Sequence, residues 1–185
     1  MTIYTIGHST RSLAALIELL QGNAIEVLAD IRSFPTSARY PHFNQEVLAK
    51  QLPAAGIAYA WLGKTLGGYR KKSDPNSPHT ALRSPGFRNY ADHTATKEFS
   101  EGIEELMKLA QTKRVALMCA ERLWWRCHRS LVSDYLAACR GIEVLHILEV
   151  GKTEPHRLHR TARPIEGRLV YDVAEPGKPQ MTDEN

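Results

Sequence analysis

The sequence predicts a single α/β domain: a mostly parallel sheet of about five strands flanked by helices in three layers, a Rossmann-like arrangement. Three observations support this. β-rich apolar runs alternate with segments whose apolar residues recur at helical spacing. The interior runs, such as Ile25–Ile31 and Arg114–Cys119, are nearly continuous rather than alternating, as suits strands buried on both faces. The 185-residue length fits one domain, with no internal repeat or linker to divide it.

The elements follow in order. Thr2–Ile6 is β-branched and ends at Gly7. Ser9 or Thr10 is positioned to cap a helix carrying Leu13, Ile17 and Leu20, which stops at Gln21-Gly22-Asn23. Ile25–Ile31 is the second strand, followed by a proline-containing loop over Ser33–Phe43. Asn44 starts a helix with Val47, Leu48 and Leu52, closed by Pro53 and Gly56, and Ile57–Trp61 is the third strand. Residues 62–92 lack a sustained period and read as a lid insertion. Thr96–Leu109 is helical through Phe99, Ile103, Leu106 and Leu109. Arg114–Cys119 is the fourth strand. A helix follows with Leu131, Val132, Tyr135, Leu136 and Cys139 on its stripe and Gly141 at its end, and Ile142–Leu148 is the fifth strand. A short strand is expected at Arg168–Val173. The domain is read as residues 1–174, with a frayed tail over 175–185.

Composition narrows the function classes. Hydrophobic residues make up 43% and charged residues 24%, and no apolar run is long enough to span a bilayer. Met1–Ile6 has no charged n-region or cleavage site and is expected to be a first strand rather than an export signal. Three cysteines without a disulfide pattern then suggest reduced thiols and a cytoplasmic location. The net charge of +4 permits an anionic partner, a small molecule, nucleotide or nucleic acid, without demanding one. Oligomeric state and cofactor are not legible.

In parallel sheets, ligands bind beyond the carboxyl ends of the strands. Here those ends collect the reactive residues. The first strand leads to His8, Ser9 and Arg11, the second to Asp30, Arg32 and Arg39. The third leads to the glycines Gly67 and Gly68, the fourth to Cys119, Glu121, Arg126, Cys127, His128 and Arg129. Arg11, Arg32, Arg39, Arg126 and Arg129 form an anion-binding set, because guanidinium matches phosphate with a planar fork of donors. A helix starting near Cys127 would add its N-terminal N–H groups. Cys127 is the candidate nucleophile, since cations and a helix start lower a thiol pKa. Asp30 and Glu121 are the candidate bases, and His8 and His128 the candidate proton carriers. Each has a plainer reading: solvated arginines, carboxylates that only hold them, a cysteine that packs as a small hydrophobe.

A metal is not assigned. The C-x7-C-H spacing is not a known zinc pattern, and adjacent Cys127 and His128 on a helix would point apart. His146 reads as a core histidine. Trp61, Trp124, Trp125, Tyr69 and Tyr90 read as packing or as base-stacking surfaces. His156, Arg157, His159, Arg160 and Arg163 make a second basic cluster, facing a polyanion or solvent.

Four motifs carry a resemblance. Ile6-Gly7-His8-Ser9-Thr10-Arg11, Asp30-Ile31-Arg32-Ser33-Phe34-Pro35, Leu62-Gly63 with Leu66-Gly67-Gly68, and Cys119-Ala-Glu121 with Arg126-Cys127-His128-Arg129 resemble the DUF488 family of uncharacterised prokaryotic proteins. The resemblance spans roughly residues 3–150, with Trp124 standing where the family often has proline. It implies an α/β domain and a shared site built from these motifs, and supplies no reaction. The expected function is an enzyme acting on a phosphate-bearing small molecule, nucleotide or nucleic-acid component. The alternative is a non-catalytic nucleic-acid-binding or nucleotide-sensing module.

Overall fold

The computed structural model describes residues 1–71 and 74–173. Strands β1 (Thr2–Gly7), β2 (Val27–Asp30), β3 (Ala58–Trp61), β4 (Val115–Cys119), β5 (Glu143–Glu149) and β6 (Lys152–Pro155) form one sheet in the order β3-β2-β4-β1-β5-β6. All neighbours are parallel except β5 and β6. A separate antiparallel hairpin joins β7 (Ala162–Ile165) to β8 (Arg168–Tyr171). The helices are α1 (Leu13–Gly22), α2 (Gln45–Ala54), α3 (Gly63–Leu66), α4 (Pro85–His93), α5 (Lys97–Ala110) and α6 (Arg129–Arg140).

The apolar runs became the central strands because both of their faces are covered. Alternate side chains of β2 and β4 point to opposite sides. Val27, Ala29, Val115 and Leu117 meet Tyr90 of α4, Phe99 and Ile103 of α5, and Leu131 and Leu136 of α6. Leu28, Ala116 and Met118 meet Leu16 and Leu20 of α1 and Leu48 and Leu52 of α2. Each such large side chain contributes about 1.5–3 kcal/mol through burial.

The departures from expectation are local. The cap of α1 is Ser12, whose Oγ accepts from Ala15 N at 3.1 Å, because residues 8–11 are occupied by a turn closed by Arg11 N donating to His8 O. Pro53 lies inside the last turn of α2 rather than after it. Residues 62–92 carry α3 and α4, and Tyr90, Ala91, Leu66 and Leu82 pack into the core. The sixth strand was not expected, since Lys152-Thr-Glu-Pro shows no apolar alternation. It forms as an edge pairing with β5 across the Val150-Gly151 turn, with Gly151 at φ +67°. The expected tail over 175–185 lies outside the described residues.

The topology fixes where a ligand can enter. β1 and β4 are adjacent, and Gly7 pairs with Cys119. From β1 the chain passes through α1 on one face of the sheet. From β4 it passes through α6 on the other. The connections part between these two strand ends, which opens a crevice there. At its base the backbones touch: a Cβ on Gly7 would lie 2.0 Å from the carbonyl oxygen of Glu121, so only glycine fits.

Candidate functional site

On the α4–α6 side of the crevice is a cleft of about 550 Å³ lined by Gly68, Tyr90, Cys119, Glu121, Arg126 and Cys127, with His128 among them. Cys119 is the last residue of β4. Cys127 and His128 arrive from the loop after it, through a single 3-10 turn at Trp124–Arg126. Cys127 is extended (φ −128°, ψ 150°) and His128 is the N-cap of α6, so the two side chains are not splayed around a helix. Both sulfurs approach His128 Nδ1, Cys127 at 3.6 Å and Cys119 at 3.8 Å.

The tautomer of His128 follows from its other nitrogen. Nε2 lies 3.1 Å from the carbonyl oxygen of Ile31, which can only accept. Nε2 therefore carries a proton, and in that tautomer of the uncharged ring Nδ1 offers its lone pair to the sulfurs. Tyr90 supports the ring from one side at a centroid separation of 5.0 Å. Gly68 presses from another side: a Cβ there would stand 2.5 Å from Nδ1.

The two thiols are driven apart in acidity. Burial works to raise Cys127, but the hydrogen bond from Cys119 and the nearby His128 and Arg129 overcome it and hold Cys127 well below the usual thiol range. Hydrogen bonding to Cys127 and burial push Cys119 well above it. Arg129 is 1% exposed. It donates to Thr5 Oγ1 and to the carbonyls of Glu121 and Arg122, and among the described residues no carboxylate pairs with it. A thiolate at Cys127 places negative charge near this buried cation.

The other expected site residues fall into a second group on the α1–α2 side. Asp30 is fully buried and accepts from Arg32 Nε, Nη2 and backbone N and from Tyr59 Oη. Arg32 also donates to Phe43 O at 2.8 Å and approaches His8 Nε2 at 3.4 Å. His8 donates from Nδ1 to Ser9 O and packs tilted against Phe43, with centroids 4.1 Å apart. Burial, then Arg32, lowers its pKa to about 4, so at neutral pH it is an uncharged acceptor. Tyr59 is raised by burial and by Asp30. The structure thus brings Cys119, Glu121, Arg126, Cys127 and His128 to one cleft, and ties Asp30, Arg32 and His8 to one another behind it.

The remaining residues have distinct places. Arg11 donates to Gly7 O and lines a different cavity with Arg122, Trp125 and Lys152. Arg39 is exposed, 5.4 Å from the Tyr40 ring. Ser9 holds a left-handed φ of +53°, rare for a side-chain-bearing residue, and its N–H donates to Ala120 O. Gly67 packs on Gly63 and Ser33, where a Cβ would clash. Glu121 accepts from Leu123 N at the cleft edge.

The sequence reading missed one buried network. Asp134 Oδ1 accepts from His156 Nε2 at 2.8 Å and from His159 N, and Oδ2 accepts from Tyr171 Oη. With both rings uncharged, His156 Nδ1 accepts from His146 Nε2 at 3.0 Å, and His146 Nδ1 from Thr5 Oγ1 at 2.7 Å. Thr5 Oγ1 in turn faces Arg129 Nη1 at 3.4 Å. Trp124 stacks flat on His146 at 4.1 Å. One member of the expected C-terminal basic cluster, His156, is thus turned inward, while His159 stays exposed and gives only its backbone N–H to Asp134. The signal was Asp134 itself, an acid placed three residues after Leu131 on the buried side of α6.

The model of the DUF488 family, described as a domain of unknown function, matches residues 12–136. The chain belongs to that family. No curated protein matches, and no solved structure matches. Among the described residues no helix is long and apolar enough to cross a membrane.

Proposed function

We propose that the protein is an enzyme acting on a phosphate-bearing small molecule or nucleotide, and that the cleft over Cys119, Cys127 and His128 is its active site. One observation carries this reading: two thiols and an imidazole converge at the floor of an open cleft, at the strand ends where connections part. Arg126, exposed at the rim, attracts the anion. Cys127 is the reacting sulfur, with Arg129 behind it, and Glu121 at the edge is the proton acceptor. Asp30 and Arg32 shape the neighbouring loop rather than touching substrate, because their polar atoms are engaged with each other and with Phe43 O and Tyr59 Oη.

A thermal-shift panel of nucleotides and sugar phosphates tests this. Stabilisation of the wild-type protein should be lost in Cys127→Ala and weakened in Arg126→Ala, and a time course of the stabilising ligand should show product. Stabilisation that persists unchanged in both variants excludes the cleft. Binding without turnover leaves a nucleotide-sensing module.

A second reading has its own observation. Trp125 is 52% exposed and borders a separate cavity of about 270 Å³ with Arg157 and Arg160. Aromatic and cationic side chains in that arrangement suit single-stranded nucleic acid. Such binding should weaken steeply with salt and in Trp125→Ala, independently of Cys127.

A further inference from the structure

We infer that Cys119, Cys127 and His128 form a zinc(II) site with three protein ligands and a fourth position open to the cleft. This rests on the reading of the cleft as the reactive site and names the ion that occupies it, with Cys127 then a zinc-bound thiolate rather than a free nucleophile.

Adjacent Cys127 and His128 argue against a metal only if both sit on a helix. They do not: α6 begins at Arg129, and the extended backbone of Cys127 aims its sulfur at the neighbouring ring. The three donor atoms lie within 4.8 Å of one another. Zinc–sulfur bonds of about 2.3 Å and zinc–nitrogen bonds of about 2.0 Å in a tetrahedron require sulfur–nitrogen edges of about 3.5 Å. The separations of 3.6 and 3.8 Å are already near that value, so little movement is needed.

His128 carries a second mark of a metal ligand. Its distal N–H is fixed on the Ile31 carbonyl, the outer contact that holds a ligating imidazole in one tautomer and one orientation. Two sulfurs converge on the single lone pair of Nδ1. A cation satisfies all three. As the sulfur–zinc bonds form, the thiol protons pass to solvent and two thiolates neutralise the ion. The fourth position faces the cavity, toward Arg126, where water or an anionic substrate group can take it. Three ligands and an open position is the pattern of catalytic rather than structural zinc.

The test uses the full chain, stripped with a chelator under reducing conditions and titrated with zinc(II) and with cobalt(II) as a spectroscopic probe. The expected result is one ion per chain, visible ligand-field bands of tetrahedral cobalt and a near-ultraviolet thiolate charge-transfer band. Cys119→Ser, Cys127→Ser and His128→Ala should each weaken binding by at least about 100-fold, beyond the loss typical of outer contacts. Cys139→Ser, on α6 away from the cleft, should bind as wild type, and circular dichroism checks that each variant is folded. Absence of binding, binding that survives Cys127→Ser, or a Cys119–Cys127 disulfide in place of two free thiols would overturn the assignment. The two proposals fail separately. Loss of zinc with ligand-induced stabilisation intact removes only the metal, and zinc binding without any effect of cleft variants on the ligand removes only the active site.

Discussion

Two polar regions meet at Arg129, and they are built on opposite plans. On one side, Asp134, His156, His146 and Thr5 form a chain in which each donor has an acceptor and each ring one allowed tautomer. On the other side, Cys119, Cys127 and His128 crowd three electron-pair donors around a gap that opens to solvent. Buried polar groups that satisfy one another hold a structure together. Electron-pair donors that converge on a gap open to solvent are arranged for something that arrives later. The difference predicts opposite costs: the closed chain should be expensive to break and functionally quiet, the open cleft cheap to alter and functionally decisive.

The largest effect should come from the hub of the closed chain. Asp134→Ala leaves His156 Nε2, His159 N and Tyr171 Oη without their acceptor in a buried setting. Breaking a buried ionic or strongly polar pair costs about 3–5 kcal/mol. That corresponds to a Tm loss of roughly 10 °C in a domain of this size. Metal stoichiometry in protein kept below the new transition should stay at the wild-type value. A loss under about 1 kcal/mol in denaturant unfolding would show that water enters and re-satisfies the chain, and the contrast would collapse.

The acid limb of stability comes next. Burial, then Arg32, brings folded His8 to about 4, and burial, then His156 and Arg129, brings folded His146 to about 3. Between these values and the ordinary 6.5, the unfolded chain binds protons that the folded chain refuses. Both histidines therefore contribute fully above pH 6.5 and lose their contribution as pH falls toward 4 and 3. The slope is at most about 1.4 kcal/mol per pH unit for each histidine. His8→Asn keeps a donor near Ser9 O but does not titrate, so it should flatten the unfolding free energy between pH 6.5 and 4 by close to one proton. An unchanged slope would mean that His8 is already open to acid in the native state.

How much of this was legible in the chain depends on the range of the interaction. The interior strands β2 and β4 could be read because a doubly covered strand must be apolar along its length. The cleft residues could be read as chemistry because cysteine, histidine and arginine cluster within Cys119–Arg129. Which face each residue takes could not. Cys119 and Met118 are neighbours that point to opposite sides of the sheet, and His8 follows Gly7 onto the Phe43 side, away from Cys127. The Asp134–His156 pair, 22 residues apart and joined only because the edge strand folds back on β5, leaves no local period. Similarly, α4 was hidden because Pro85–His93 carries few aliphatic residues and is held by Tyr90 alone among its large apolar side chains at full burial.

A moderate effect on stability and a large one on the site should follow from Gly68→Ala. The added methyl would stand 2.5 Å from Nδ1 and 2.8 Å from Cγ of His128. The ring cannot yield freely, because Nε2 is tied to Ile31 O and Tyr90 backs it. Overpacking of this kind costs about 1–3 kcal/mol. Any yielding swings Nδ1 away from the two sulfurs, so cobalt binding should weaken at least about 10-fold, as when an outer contact is lost. Cobalt binding at wild-type affinity would show that the ring position is not needed.

The smallest effect on stability should accompany the largest effect on the cleft. Cys127→Ser exchanges a sulfur for an oxygen in nearly the same volume, and the new hydroxyl can donate to His128 Nδ1, so no buried donor is stranded. It also removes the ionisable sulfur beside His128 and Arg129. Stability of the metal-free protein should change by less than about 1 kcal/mol, within the range of substitutions that break no named contact. A small gain is consistent with relief of three donors facing one another, since sites shaped for ligands are rarely optimal for folding. Denaturant midpoints in chelator, set beside Asp134→Ala, decide it: a loss as large as that of Asp134→Ala would make the cysteine a structural element and the cleft a second closed network.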